Sequence, residues 1–320
     1  MNTVMIAGGT GLIGTALSEM LVAKGYEVII LTRSPGSPRK NKRNKKRKEE
    51  NKNISYAVWD INRSIIDPLA IAKADHIIHV AGAGVADKRW TDKRKAEIIN
   101  SRINSSKLLI KALAENENKV KSVVSASAIG WYGPDTKGSK RAFTENDPPH
   151  TDFLGETCRL WEQSIEPVTQ LGKRLVILRT GIVFSNDGGA FPEFKKPFKA
   201  GIAAILGGGK QMVSWIHIDD LCRMYIEGIE NNSLSGIYNA VAAEPVTNKE
   251  LILRIAKVRK KPFIPIHVPE FVLKLALGEM SIEVLKSATV DNRKIQSAGF
   301  KFLYPTLDAA LNELISQNIY

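Results

Sequence analysis

Along the first half of the chain, short β-branched runs alternate with helical stretches, the order that builds βαβ units and a parallel sheet. The strand candidates are Thr3 to Ala7, Glu27 to Thr32, Tyr56 to Trp59, His76 to Val80, Ser122 to Ala126 and Leu175 to Leu178. Six such strands complete a doubly wound sheet. Between the first two, Leu12 to Lys24 sets Leu12, Ala16, Leu17, Met20 and Leu21 on one helical stripe, and Gly25 supplies the stop. Asp92 to Glu115 repeats apolar residues at helical spacing (Ile98, Ile99, Leu108, Leu109, Ala112, Leu113) and reads as the crossover helix between the fourth and fifth strands. After Leu178 the alternation gives way to a Gly/Pro-rich region, Gly181 to Gly209, whose composition suits substrate-facing loops more than sheet. From Thr247 onward, helical patterns punctuated by proline lead to an amphipathic end, Leu307 to Ile315. The expected fold class is α/β, a Rossmann doubly wound parallel sheet with a smaller C-terminal substrate lobe. The sheet takes residues 1–185 with 215–246 returning to it, and the lobe takes 186–214 and 247–320.

Composition narrows the class. The chain has 320 residues, 43% of them hydrophobic and 25% charged, enough to bury a large core. Its two cysteines, Cys158 and Cys222, are far apart and outside any zinc-ligand spacing, which excludes a disulfide framework and fits a reducing cytosol. The N-terminal apolar run meets a glycine turn with no basic segment before it, so it reads as a buried strand and not a signal peptide. No apolar run approaches the ~20 residues a membrane-spanning helix needs, so the expectation is a cytoplasmic protein with no membrane partner. The net charge of +13 is unevenly spread: Arg39 to Lys52 holds nine Lys or Arg against two Glu, a net +7. That segment, within the loop 35–53, cannot bury apolar surface and reads as a solvated insertion. Nothing aromatic beside it offers a stacking platform for bases, so nucleic acid is not the expected partner.

The chemistry concentrates at AGGTGLIG. Gly8, Gly9, Gly11 and Gly14, with Thr10, Leu12 and Ile13 between them, follow the first strand and open the first helix. Glycine is needed where the chain turns tightly, where backbone approaches a pyrophosphate, and where helix and strand pack closely. The helix start then offers N–H groups and partial positive charge to the anion. An NAD-selective site normally ends its second strand with Asp or Glu. Here that strand ends Thr32-Arg33-Ser34. Arg33 offers a planar donor fork to a 2′-phosphate and Ser34 stands close enough to assist, which favours NADP over NAD. Asp60, after the third strand, and Ala81-Gly82, after the fourth, line the adenine and ribose side in such folds.

GGTGLIG, Ser125-Ala126-Ser127 before Tyr132-Gly133, Leu178-Arg179-Thr180-Gly181 and Trp215-Ile216-His217-Ile218-Asp219-Asp220 together resemble the extended short-chain dehydrogenase/reductases, the sugar-nucleotide epimerase and dehydratase group. Ala86 to Lys95 (ADKRWTDKRK), Ser101-Arg102 and Gly278 to Leu285 (GEMSIEVL) look like its atypical 39U subfamily, a nucleoside-diphosphate-sugar epimerase group. The resemblance implies a small polar substrate in the cleft between lobes, and a homodimer through the helices flanking the fifth strand. It also implies chemistry by Ser with Tyr-x-x-x-Lys, in which lysine lowers the tyrosine pKa and the tyrosinate exchanges a proton with substrate. Ser127 matches the serine. The tyrosine place falls at or near Phe153 and the lysine place at or near Thr157, so the relay is missing. Tyr132 is the nearest phenol and becomes the catalytic candidate beside Ser127, against the plainer reading that it packs the turn. His150, Asp152 and Glu156 flank the vacated position and read as caps and solvent contacts. His217 with Asp219 and Asp220 reads as a helix-capping turn, and Trp161 with Glu162 as helix packing around the substrate entrance. Two functions lead, an NADP-dependent oxidoreductase or epimerase and a redox-responsive NADP(H)-binding protein that no longer turns over; association with nucleic acid or an anionic surface through the basic loop ranks last.

Overall fold

In the computed structural model, which describes residues 2–34, 52–136, 141–260 and 262–316, the strand Thr3–Ala7 (β1) is buried at every position. That is the signature of a central parallel strand covered on both faces. It pairs in parallel with Glu27–Thr32 (β2), and β2 in turn with Ile54–Asp60 (β3). A two-residue antiparallel strand, Ile65–Ile66 (β4), closes that edge. On the other side β1 pairs with His76–His79 (β5), followed by Ser122–Ala128 (β6), Arg174–Thr180 (β7) and Gly236–Ala240 (β8), all parallel. The sheet therefore has eight strands in the order β8-β7-β6-β5-β1-β2-β3-β4. The order in which strands are added reverses between β1 and β5, and ligands of doubly wound sheets bind at the carboxyl ends of strands at such a point.

All six expected strands form, and β4 and β8 are additional. β8 escaped the sequence pattern because Gly236 and Asn239 leave Ile237 and Tyr238 as too short an apolar run.

Helices cover both faces. Leu12–Ala23 (α1) and Ile218–Glu230 (α5) share a core with Val4, Ile6, Ile30 and Val176, while Pro68–Lys73 (α2) and Asp92–Glu115 (α3) pack over Met5, Ile29, Ile77 and Val123. Phe153–Ile165 (α4) follows the turn after β6 and lies against α3.

The smaller lobe surrounds Phe184, Phe191, Phe198, Trp215, Leu251 and Leu311. Gly181 to Gly209, expected as loops, contains the strands Ile182–Phe184 and Ile202–Leu206 and the short helix Phe191–Lys195. Its phenylalanines bury in this second core and order the chain around them. The C-terminal stretch does not stay wholly in the lobe, since Ile295 and Phe300 join the core beneath α1 and α5. The basic segment Arg39 to Lys52 lies outside the described residues except for Lys52 itself. Among the described residues no helix is long and apolar enough to cross a membrane.

Candidate dinucleotide site and the polar network beside it

The turn after β1 leaves no room for side chains. Gly8 sits at φ +90°, and a Cβ there would lie 2.8 Å from the backbone of Val80 and Ala81 at the end of β5. A Cβ on Gly9 would meet the Ile30 side chain at 2.8 Å, and one on Gly14 would run into the backbone of Gly8 and Gly9. Gly11 differs, since its nearest neighbour would be 3.4 Å away, so packing does not demand glycine there. Thr10 and Gly11 are exposed, and Leu12 and Ile13 form the half-buried first turn of α1. Gly11 is the N-cap of α1, no side chain caps it, and no acidic residue lies in the first turn. The partial positive charge of the helix start is therefore left for an anion, and the cradle fits the diphosphate of a dinucleotide.

Around this turn, Arg33 and Ser34 are exposed at the end of β2, and Arg33 has no ion-pair partner among the described residues. Asp60 ends β3 with Oδ1 accepting from Asn62 N at 2.9 Å and Arg63 N at 3.2 Å, so it caps its own turn first. Ala81 is buried and Gly82 exposed. The loop they begin is fastened to α3, with Ala83 N donating to Ser101 Oγ at 3.0 Å and Arg102 Nη1 donating to Ala83 O at 3.0 Å. Beneath it His79 lies between Ser105 (2.9 Å) and Ser125 (3.3 Å). Burial, assisted by the Arg102 charge, holds its imidazole down to about 4.

The two catalytic candidates are placed differently from the expectation. Ser127 is only 3% exposed, and its hydroxyl donates to Glu162 Oε1 at 2.6 Å. Tyr132 is 0% exposed because the turn Ile129–Trp131 folds it inward onto Phe143, with ring centroids 5.1 Å apart. Its hydroxyl donates to Asn239 Oδ1 at 2.7 Å and accepts from Arg179 Nη1 at 3.0 Å, and burial pushes the phenol up to about 12. A phenol so buried stays protonated near neutrality. Burial and these partners favour the packing reading of Tyr132 over the catalytic one, and the Ser127 hydroxyl is donated to Glu162.

What joins them is a network that the residue-by-residue reading of the sequence missed. Arg179 forks onto Glu162, Nε to Oε1 at 2.8 Å and Nη2 to Oε2 at 2.9 Å, and stacks on Trp131 at 3.7 Å. Glu162 is thus the hub between β6, β7 and α4, more than helix packing at an entrance. The signal was present in the sequence: Glu162 falls on the apolar stripe with Cys158 and Ile165, and Arg179 interrupts a buried strand. Two opposite charges at core positions predict each other.

On α4 the vacated positions hold Phe153, edge-on to Trp90 at 4.8 Å, and Thr157, whose hydroxyl donates to Phe153 O. Asp152 caps the helix by accepting from Gly155 N at 2.7 Å, and Glu156 pairs with Arg159. At α5 the cap is His217, whose Nδ1 accepts from Asp219 N at 3.2 Å. Asp220, expected as a possible cap, accepts from the backbone of Leu303 and Tyr304 instead.

A parallel sheet of Rossmann order with a glycine turn at its switch point defines a dinucleotide-binding α/β protein, and the chain belongs to the NAD dependent epimerase/dehydratase family, whose model matches residues 4–240. A domain of unknown function, DUF1731, matches residues 268–314. Among its relatives, the epimerase family protein YfhF of Bacillus subtilis is 34% identical, covering 99% of this chain and 98% of its own. The epimerase family protein SSP1921 of Staphylococcus saprophyticus is 35% identical, over 98% and 100%. The solved human epimerase family protein SDR39U1, a structure with NADPH, aligns over 99% of this chain and 100% of its own with TM-score 0.82 and 27% identity. UDP-glucuronic acid 4-epimerase from Bacillus cereus, in complex with NAD, aligns over 98% and 99% with TM-score 0.76 at 19% identity, a likeness of fold alone.

Proposed function

We propose that the chain binds NADP(H) across the carboxyl ends of β1, β2 and β5 and acts as an oxidoreductase or epimerase on a small polar metabolite of the nucleotide-sugar kind. The observation that carries this reading is the turn in which Gly8, Gly9 and Gly14 admit no Cβ while α1 starts uncapped above them. The NADPH in the similar human structure supports the same cofactor class. Gly8 to Gly14 would hold the diphosphate, Arg33 and Ser34 the 2′-phosphate, and Ala81 and Gly82 the ribose side. Bound there, the cofactor supplies a hydride donor or acceptor. Ser127, Glu162, Arg179 and Tyr132 keep the ends of β6 and β7 rigid behind the site, so proton handling falls to groups other than the usual relay.

The second reading, a redox-responsive binding protein without turnover, is favoured by one observation: the hydroxyls of Ser127 and Tyr132 are both consumed inside the protein. Titration with NADPH and NADH, followed by a screen of nucleotide sugars for absorbance change at the nicotinamide band and for epimer formation, separates the two. Turnover of any member supports the enzyme, and tight NADPH binding with none supports the second reading. Arg33→Ala is expected to weaken NADPH by about 10-fold or more, the scale of one charge-assisted hydrogen bond, while leaving NADH nearly unchanged. Equal losses would refute the role of Arg33.

A further inference from the structure

We propose that Arg102 is an oxyanion-holding residue on the β5 side of the cleft, receiving a phosphate or carboxylate of the bound ligand. It rests on the dinucleotide reading only for where that ligand lies.

Arg102 lies inside α3 and is 9% exposed. Nη1 donates to Ile98 O at 2.8 Å and Ala83 O at 3.0 Å, and the guanidinium lies 4.8 Å from the centre of the Trp161 ring. Two other well-buried arginines have carboxylates: Arg179 has Glu162, and Arg94 has Glu97 and Asp87. Among the described residues Arg102 has none, and its Nε and Nη2 meet no protein acceptor, yet neither is sealed from solvent. A cation withdrawn from water without a counter-charge is costly unless an anion joins it. With two donor groups of its fork still open, it has the form of an anion receptor.

Its position fits that form. A Cβ on Gly82 would lie 3.1 Å from the Arg102 Cζ, so glycine there lets the guanidinium sit directly beneath the exposed end of β5. The phosphate turn touches the same strand end one residue earlier, through Gly8 against Val80 and Ala81. Arg33 stands on the β2 side of the turn and Arg102 on the β5 side. α4 offers no rival cation in its first two turns, because Arg159 is engaged by Glu156 and Gln163. Burial lowers the Arg102 guanidinium from its ordinary value, but an arginine stays charged near neutrality, so its part is to neutralise and orient, not to move a proton. The oxyanion comes either from the dinucleotide's own diphosphate or from the substrate.

The test compares wild type with Arg102→Met and Arg102→Lys, each checked for folding by circular dichroism and melting temperature. One arm titrates NADPH, and the other titrates inorganic pyrophosphate into both apo and NADPH-saturated protein, each at two salt concentrations. A loss of 10-fold or more for the Met variant in the NADPH arm assigns the oxyanion to the dinucleotide. A loss confined to pyrophosphate in NADPH-saturated protein assigns it to the substrate. In either case the Lys variant is expected to fall between, and the salt dependence to flatten in the Met variant, which a mere tie to Ala83 would not produce. A folded Met variant that matches wild type in both arms overturns the proposal. Should that variant fail to fold, the Lys variant decides by the same measure, its unchanged affinities overturning the proposal. Wild type that ignores NADPH but binds pyrophosphate through Arg102 would sink the cofactor reading and leave this one standing. Binding of neither by wild type would end both.

Discussion

Glu162 and Arg179 show what single residues reveal and conceal. Gly8 and Gly14 of the first turn were legible because each answers to a backbone demand that no other residue meets, at Gly8 a positive φ and at Gly14 contact with backbone. The polar residues at the ends of β6 and β7 were not legible one by one. Ser127 and Tyr132 have the right chemistry for catalysis, and only the fold reveals that Glu162 and Asn239 consume their hydroxyls. His79 carries a prediction at this scale. Its imidazole is held at about 4, chiefly by burial. As pH falls below the ordinary value of about 6.5, the unfolded chain takes up this proton and the folded chain does not. The contribution of His79 is therefore complete above that value and is lost as pH falls toward 4, by up to about 3 kcal/mol. The gap in unfolding free energy between wild type and His79→Gln is expected to narrow between pH 7 and 4.5 in denaturant titrations. A gap independent of pH would mean that the imidazole is not desolvated as described.

Among the elements, α1 and the turn before it separate folding from binding. A Cβ on Gly14 collides with the backbone of Gly8 and Gly9, whereas one on Gly11 has 3.4 Å of room. Gly14→Ala is expected to lower the melting temperature by several degrees, a cost of about 1–3 kcal/mol for overpacking. Gly11→Ala should melt within a degree or two of wild type and still weaken NADPH, because the added methyl stands where backbone must approach phosphate. Calorimetric melts with and without nucleotide check both, and a Gly11→Ala protein that binds NADPH normally would remove that glycine from the site. Periodicity made the six long strands and the two sheet-packing helices α1 and α3 readable. It could not find β4, with two residues, or β8, broken by Gly236 and Asn239, because neither has enough alternation to declare a face. The lobe strands within 181–209 were hidden for a related reason. Glycine and proline suggested loop, while Phe184, Phe191 and Phe198 were building a core with partners far along the chain.

Across the whole molecule, the lobe is bound to the rim of the site at several points. Arg89 Nη2 donates to Leu275 O, Lys95 pairs with Glu279, Asp135 accepts from Ser287 and Thr289, and Asn239 Nδ2 donates to Asp291 O. These contacts tie the C-terminal segment to the large sheet's side of the molecule, and a bound nucleotide is expected to raise the melting temperature of the whole. The direct measurement is calorimetric titration of the apo protein with NADPH and NADH, paired with melting curves at saturation. One equivalent of NADPH should bind, more tightly than NADH, and add about 2.7 kcal/mol of stability at a hundredfold excess over Kd. A protein that binds neither nucleotide, with an unmoved melting temperature, would reduce the glycine turn to architecture and leave no dinucleotide site.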